Sequence, residues 1–62
     1  MKRRELLRRI DGIAKSKGVT ATYTERRRHT KVELNGRRTT IPRHREINEL
    51  TALGILDYLE GE

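Results

Sequence analysis

A chain of 62 residues forms a single domain, residues 1–62, and a domain of about 60 residues buries only about 60% of the surface that its unfolded chain exposes. No cysteine is present, which excludes disulfides, thiolate nucleophiles and Cys-based zinc sites, and we expect neither a metal nor a cofactor. Because 32% of the residues are hydrophobic and 39% are charged, we expect a thin core and a function that lies on the surface.

The charge of the chain is unevenly distributed. Residues 1–45 hold all 15 lysines and arginines against four acids, whereas residues 46–62 hold five acids and no base, which leaves a net charge of +6. This separation favours a polyanion such as a nucleic acid as the ligand, although a basic composition can also simply keep a small domain soluble. The sequence has no apolar leader and no run of about 20 apolar residues, so we expect a cytoplasmic protein without membrane contact.

The first predicted element is a helix over residues 2–17, and Gly18 supplies its stop signal. Its apolar residues recur at the spacing of one helical face and are Leu6, Leu7, Ile10, Ile13 and Ala14. The opposite side carries a stripe that we expect to be solvated, namely Arg4, Arg8, Asp11 and Lys15.

Three strands are predicted next. Residues 19–24 alternate apolar side chains with threonine, residues 25–28 are typical of a loop, and His29 to Leu34 alternates again. Asn35 and Gly36 favour a type I′ turn because both residues tolerate positive φ, and the third strand ends at Pro42.

The two-residue turn fixes the register of the hairpin, in which Leu34 pairs with Arg37 and His29 pairs with Pro42. Because side chains alternate across a strand, one face is directed to the core, and it carries Thr30, Val32, Leu34, Thr39 and Ile41, joined by Val19, Ala21 and Tyr23. The other face, which we call the outer face, carries His29, Lys31, Glu33, Arg38 and Thr40.

A final helix is predicted from its N-cap Asn48 to about Glu60. Its core stripe consists of Ala52, Ile55, Leu56 and Leu59. A second apolar stripe, defined by Leu50, Gly54 and Tyr58, lies opposite and predicts an interface with a protein partner or a second copy of the chain, because exposed apolar surface on so small a domain marks an interface. The alternative is that the helix is rotated and these residues pack inward.

The predicted order of elements is α-β-β-β-α, an α+β fold with a three-stranded antiparallel sheet and both helices on one of its faces. This layout resembles the double-stranded RNA-binding fold. In that class, proteins contact RNA largely through 2′-hydroxyl and phosphate groups.

Several motifs resemble the HicA family of toxin-antitoxin systems, and the resemblance covers most of the chain. The strongest match is residues 39–47, which carry the family's strand, Pro-x-His and loop, followed by a helix that contains Thr51, Ile55 and Leu56. Residues 1–7 are similar to the family's start. The resemblance implies a type II toxin, that is, an mRNA interferase: a metal-independent endoribonuclease that inhibits translation and is neutralised by a HicB-type antitoxin.

His29 is the candidate catalytic residue, because the family's active histidine lies at the head of the second strand. Histidine is the side chain best able to take a proton near neutral pH, here from an RNA 2′-hydroxyl that then attacks the adjacent phosphate. The family usually has Gly-Ser before this histidine, whereas Arg27 and Arg28 precede it here and supply charge in place of a close backbone approach. The alternative is that His29 is an ordinary exposed strand residue.

The residues expected to bind RNA phosphates are Arg27, Arg28, Lys31, Arg38, Arg43 and Arg45. Of these, Arg43 and Arg45 are predicted to form a second phosphate clamp across the same sheet edge. His44 would protonate the leaving 5′-oxygen if its loop folds toward the outer face, and would otherwise stabilise the loop or contact RNA.

Two other functions stay open at this point. A non-catalytic RNA-binding module would keep the fold and the basic face, and Arg27 and Arg28 favour it. A DNA-binding accessory protein is disfavoured, because no helix-turn-helix pattern occurs and the basic residues flank a sheet.

Overall fold

The computed structural model describes residues 1–61 and confirms the predicted α-β-β-β-α order. The elements are α1 (Arg3–Ser16), β1 (Thr22–Glu25), β2 (His29–Leu34), β3 (Arg37–Pro42) and α2 (Glu49–Glu60). The strands form one antiparallel sheet in the order β1-β2-β3. Glu62, the last residue of the predicted domain, lies outside the described residues. Over residues 1–61, neither helix has the length and apolar character needed to cross a membrane.

Helix α1 ends where the glycine predicts. Gly18 has a φ of 73°, its N–H donates to the Lys15 carbonyl at 3.1 Å, and the Val19 N–H donates to the Ala14 carbonyl at 2.9 Å. This pair of bonds closes the helix. Because the Val19 N–H donates to a carbonyl at the end of α1, it does not pair with a neighbouring strand. The prediction that β1 begins at this residue was wrong, and the strand starts at Thr22 instead.

The β2-β3 hairpin has the predicted register. His29 pairs with Pro42 and Leu34 pairs with Arg37, and every residue pair between these two has the predicted partners. Asn35 and Gly36 have φ values of 51° and 85°, the positive values that a type I′ turn requires.

One hydrophobic core lies between the inner face of the sheet and the two helices, so both helices cover the same sheet face, as predicted. Its buried members are Leu6, Ile10, Ala14, Ala21, Val32, Leu34, Ile41, Ile47, Ala52, Ile55 and Leu59. Val19, Tyr23 and Leu56, which we expected on the core face, are only half-buried at its margin. The core is thin, which agrees with the small hydrophobic fraction of the sequence.

The segment between β3 and α2 is tied to the start of α1. Lys2 and Glu46 form an isolated antiparallel bridge, and the Arg3 N–H donates to the Arg45 carbonyl at 2.9 Å. Asn48 then caps α2, since its side-chain oxygen accepts hydrogen bonds from the first backbone N–H groups of the helix at 2.9 and 3.2 Å. These contacts fix the path of the chain past the end of the sheet where His29 lies.

Candidate nucleic-acid interface

The outer face of the sheet is polar and open to solvent. Burial alternates along β2, so that Lys31 and Glu33 are exposed and His29 is half-buried, whereas their neighbours on the inner face are buried. Arg38 faces Glu33 across the hairpin, with the two charged groups 3.7 Å apart. A depression of about 170 Å³ on this face is lined by three cationic side chains, those of Arg26, Lys31 and Arg38, together with the acidic side chain of Glu33.

His29 lies at the start of β2, directly after loop 26–28. The Arg26 N–H donates to the His29 carbonyl at 2.9 Å, which makes this loop a tight reversal. An open depression of about 520 Å³ is lined by the residues of this loop, Arg26, Arg27 and Arg28, together with His29 and Lys31. The structure thus brings the imidazole together with three guanidinium groups and one ammonium group on an accessible surface.

A buried threonine lies behind this histidine. Thr30 is only 1% exposed, and its hydroxyl donates to the Glu25 carboxylate at 2.9 Å while it accepts from the Arg3 guanidinium at 2.7 Å. Arg3 also donates to the Pro42 carbonyl at 3.0 Å. These bonds join α1 to the ends of all three strands, so the backbone that carries His29 is held from the inner side.

The same carboxylate also binds the loop after β3. Arg43 donates to Glu25 at 2.7 Å and to the Arg26 carbonyl, which connects loop 26–28 to the end of β3. Together Arg3, Glu25, Thr30 and Arg43 form one connected set that we call the Glu25 network. Sequence reasoning missed it, although a threonine on the apolar face of a strand is a signal that some polar partner must lie there.

The structure separates the residues predicted to form a second phosphate clamp. Arg43 pairs with Glu25, whereas Arg45 lies beside the start of α1 and lines a different depression with Lys2 and Arg4. His44 is exposed and does not belong to the residues that line the His29 depression. The roles of these three residues toward RNA stay predictions.

Tyr23 and Asp11 form a contact on the helix side of the sheet. Asp11 is exposed, as predicted for its stripe, and its carboxylate also accepts a hydrogen bond from the Tyr23 hydroxyl at 2.7 Å, because β1 brings the phenol to it. Burial, and then the hydrogen bond to Asp11, raise the pKa of Tyr23 above its ordinary value. The phenol is therefore a neutral donor that connects β1 to α1.

The second apolar stripe of α2 is exposed, as the helix pattern predicts. Leu50 is 80% and Tyr58 43% exposed, and Gly54 between them is exposed as well. The Arg37 guanidinium lies 5.2 Å from the centroid of the Tyr58 ring, a distance at which a cation and an aromatic ring attract each other. The stripe is therefore accessible, and its use as an interface stays a prediction.

No family model, no curated protein and no solved structure gives a significant match to this chain. The chemistry and geometry of the basic face and the short motifs described above therefore provide the basis for assigning a function. Of these, the surroundings of His29 are the most specific.

Proposed function

We propose that this chain is a metal-independent endoribonuclease of the HicA type, which cleaves mRNA in the cytoplasm and acts as the toxin of a type II toxin-antitoxin pair. The observation that carries the proposal is the position of His29, half-buried at the open start of β2 and lining one depression with loop 26–28 and Lys31. An imidazole among cations is suited to a reaction in which a base acts beside a phosphate.

In the proposed reaction, the neutral imidazole of His29 takes the proton of a ribose 2′-hydroxyl. The 2′-oxygen attacks the adjacent phosphorus, and the bond between phosphorus and the 5′-oxygen breaks. The products are a 2′,3′-cyclic phosphate and a 5′-hydroxyl, whose proton comes from water or from His44 if that side chain turns toward the outer face. Arg27, Arg28 and Lys31 bind the phosphate and stabilise the negative charge that develops on it.

Cleavage of a labelled single-stranded RNA in the presence of a metal chelator tests the proposal. We expect fragments with cyclic-phosphate and 5′-hydroxyl ends, and we expect His29→Ala to lower the rate by about 10²- to 10⁴-fold, the usual contribution of a general base. Arg8→Ala is the matched control, because Arg8 is exposed on α1 away from this face. Undiminished cleavage by the His29 variant would refute the mechanism.

A non-catalytic RNA-binding module is the second candidate function. Arg27 and Arg28, both exposed beside His29, favour it because their cations bind phosphate whether or not the backbone can approach it closely. Salt-dependent retention of RNA by the wild-type chain, without cleavage, would support this alternative against the nuclease.

We also propose that the stripe of Leu50, Gly54 and Tyr58 binds a protein. A HicB-type antitoxin or a second copy of the chain would fit, because an interface needs an apolar centre, and Leu50 and Tyr58 of this stripe are, with Leu53, the large apolar side chains that α2 leaves exposed. A rim contact to an acidic partner would come from Arg37, whose guanidinium lies 5.2 Å from the centroid of the Tyr58 ring.

A further inference from the structure

A second basic surface lies on the helix side of the sheet, near the end that carries His29. A depression of about 430 Å³ is lined by Lys2, Arg3, Arg4, Leu7 and Arg45, of which all but the leucine are cationic. The hydrogen bond from the Arg3 N–H to the Arg45 carbonyl, at 2.9 Å, brings the start of α1 and the loop before α2 together here. The cluster thus comes from two segments that are remote in sequence.

Two of these four cations are available to a ligand. Arg3 is engaged with Thr30 and Pro42, and the Lys2 ammonium lies 3.1 Å from a carboxylate oxygen of Glu46. Within the part of the chain that the structure describes, the exposed side chains of Arg4 and Arg45 form no ion pair. Both guanidinium groups therefore keep their full capacity to bind an anion.

The fold gains little from the charge of Arg4. This residue stands in the first turn of α1, where a cation opposes the helix dipole, and no side chain caps this end of the helix. Residues that are unfavourable for the local secondary structure tend to occur at functional positions. The exposed guanidinium groups of Arg4 and Arg45 are thus better explained by a ligand than by stability.

This surface adjoins the His29 depression around the end of the sheet. Arg3, which lines the basic cluster, donates to the Pro42 carbonyl, and Pro42 is the residue that pairs with His29. The whole domain measures only 28 × 22 × 16 Å. A single RNA strand that occupies the His29 depression can therefore continue across loop 43–45 to the second surface.

We propose that Arg4 and Arg45 bind a backbone phosphate of the same RNA strand, a few nucleotides away from the bond at His29. This inference rests on the proposed function and adds to it a binding site outside the reacting centre. Because the contact is to phosphate, it raises affinity for longer RNA without reading the base sequence.

Binding of a single-stranded RNA of about 16 nucleotides, the upper end of common site sizes, tests the inference. All proteins carry His29→Ala so that the RNA stays intact. Arg4→Ala/Arg45→Ala is compared with Arg8→Ala/Lys15→Ala, which removes the same charge from exposed positions of α1 outside the cluster. We expect the first pair to lower affinity roughly tenfold and to reduce the salt slope by about 0.7, the contribution of one single-strand phosphate contact. The control pair should change both quantities much less.

Cleavage of a dinucleotide by proteins that retain His29 separates this surface from the reacting centre. We expect the Arg4/Arg45 double variant to cleave the dinucleotide at the wild-type rate and to retain the wild-type circular dichroism spectrum. Equal losses of RNA affinity in the two double variants, or slower dinucleotide cleavage by the Arg4/Arg45 variant, would overturn the inference and leave the proposed function intact. A wild-type protein that neither binds nor cleaves RNA would overturn both.

Discussion

Replacing Thr30 with valine removes the central hydroxyl of the Glu25 network while it keeps the shape of the side chain and the strand preference. The hydroxyl is buried and makes two hydrogen bonds to charged partners, at 2.9 Å to Glu25 and 2.7 Å from Arg3. Bonds of this kind contribute about 1.5–3 kcal/mol each when a charged group is involved. The sum is not lost in full, because the Glu25 carboxylate is 64% exposed and keeps Arg43, and Arg3 keeps the Pro42 carbonyl. We therefore expect the free energy of unfolding to fall by about 2 kcal/mol.

Urea unfolding followed by circular dichroism measures this loss, and Thr30→Ser is the matched control. Serine keeps the hydroxyl and loses only a buried methyl group, which costs about 0.5–1.5 kcal/mol. If the network also holds His29 in place, Thr30→Val slows RNA cleavage more than it weakens RNA binding. An unfolding free energy of the valine variant within about 0.5 kcal/mol of wild type, or an equally large loss in the serine variant, would contradict this role of the network.

Two further predictions concern the helices. Since the pKa of Tyr23 is raised in the folded state, the neutral phenol stabilises the fold below the unfolded value of about 10 and this contribution is lost as the pH rises above it. In Tyr58→Phe, whose only tyrosine is Tyr23, we expect the added change Asp11→Ala to move the appearance of the tyrosinate absorbance to lower pH, and an unchanged midpoint would contradict the assigned contact. Leu50→Lys, at a residue that is 80% exposed, should leave the unfolding free energy within about 0.5 kcal/mol of wild type and weaken association with a partner or a second copy. Sedimentation equilibrium measures that association, and unchanged association would remove this stripe from the interface.

The hairpin could be predicted from the sequence because its determinants are local. Asn35 and Gly36 adopt the positive φ values that the turn requires, and a two-residue turn leaves no freedom in the pairing that follows. That register alone places His29 and Lys31 on the outer face and Thr30 on the inner face. Helix α2 was predictable for a similar reason, since its cap and its apolar spacing lie within a dozen residues.

The side-chain contacts around the site could not be predicted, because they join residues that are distant in sequence. Arg3 reaches Thr30, and Arg43 reaches Glu25, and no local pattern distinguishes these arginines from those that stay exposed. The start of β1 was misplaced for a related reason. The alternation of residues 19–24 is typical of a strand, but the Val19 N–H donates to the Ala14 carbonyl at the end of α1.

The two arginines before His29 would contribute more to RNA affinity than to the rate of the proposed reaction. A guanidinium offers charge and paired hydrogen bonds to a phosphate before as well as during the reaction, so much of its effect is uniform binding, which tightens the complex without raising the rate of the chemical step. Arg27 and Arg28 are both exposed, and nothing in the Glu25 network fixes their side chains at one atom of the phosphate. If the chain is the proposed nuclease, the loss of the His29 ring and the loss of the Thr30 hydroxyl would probe the chemistry, whereas the loss of the exposed arginines would lower affinity more than the rate of the chemical step.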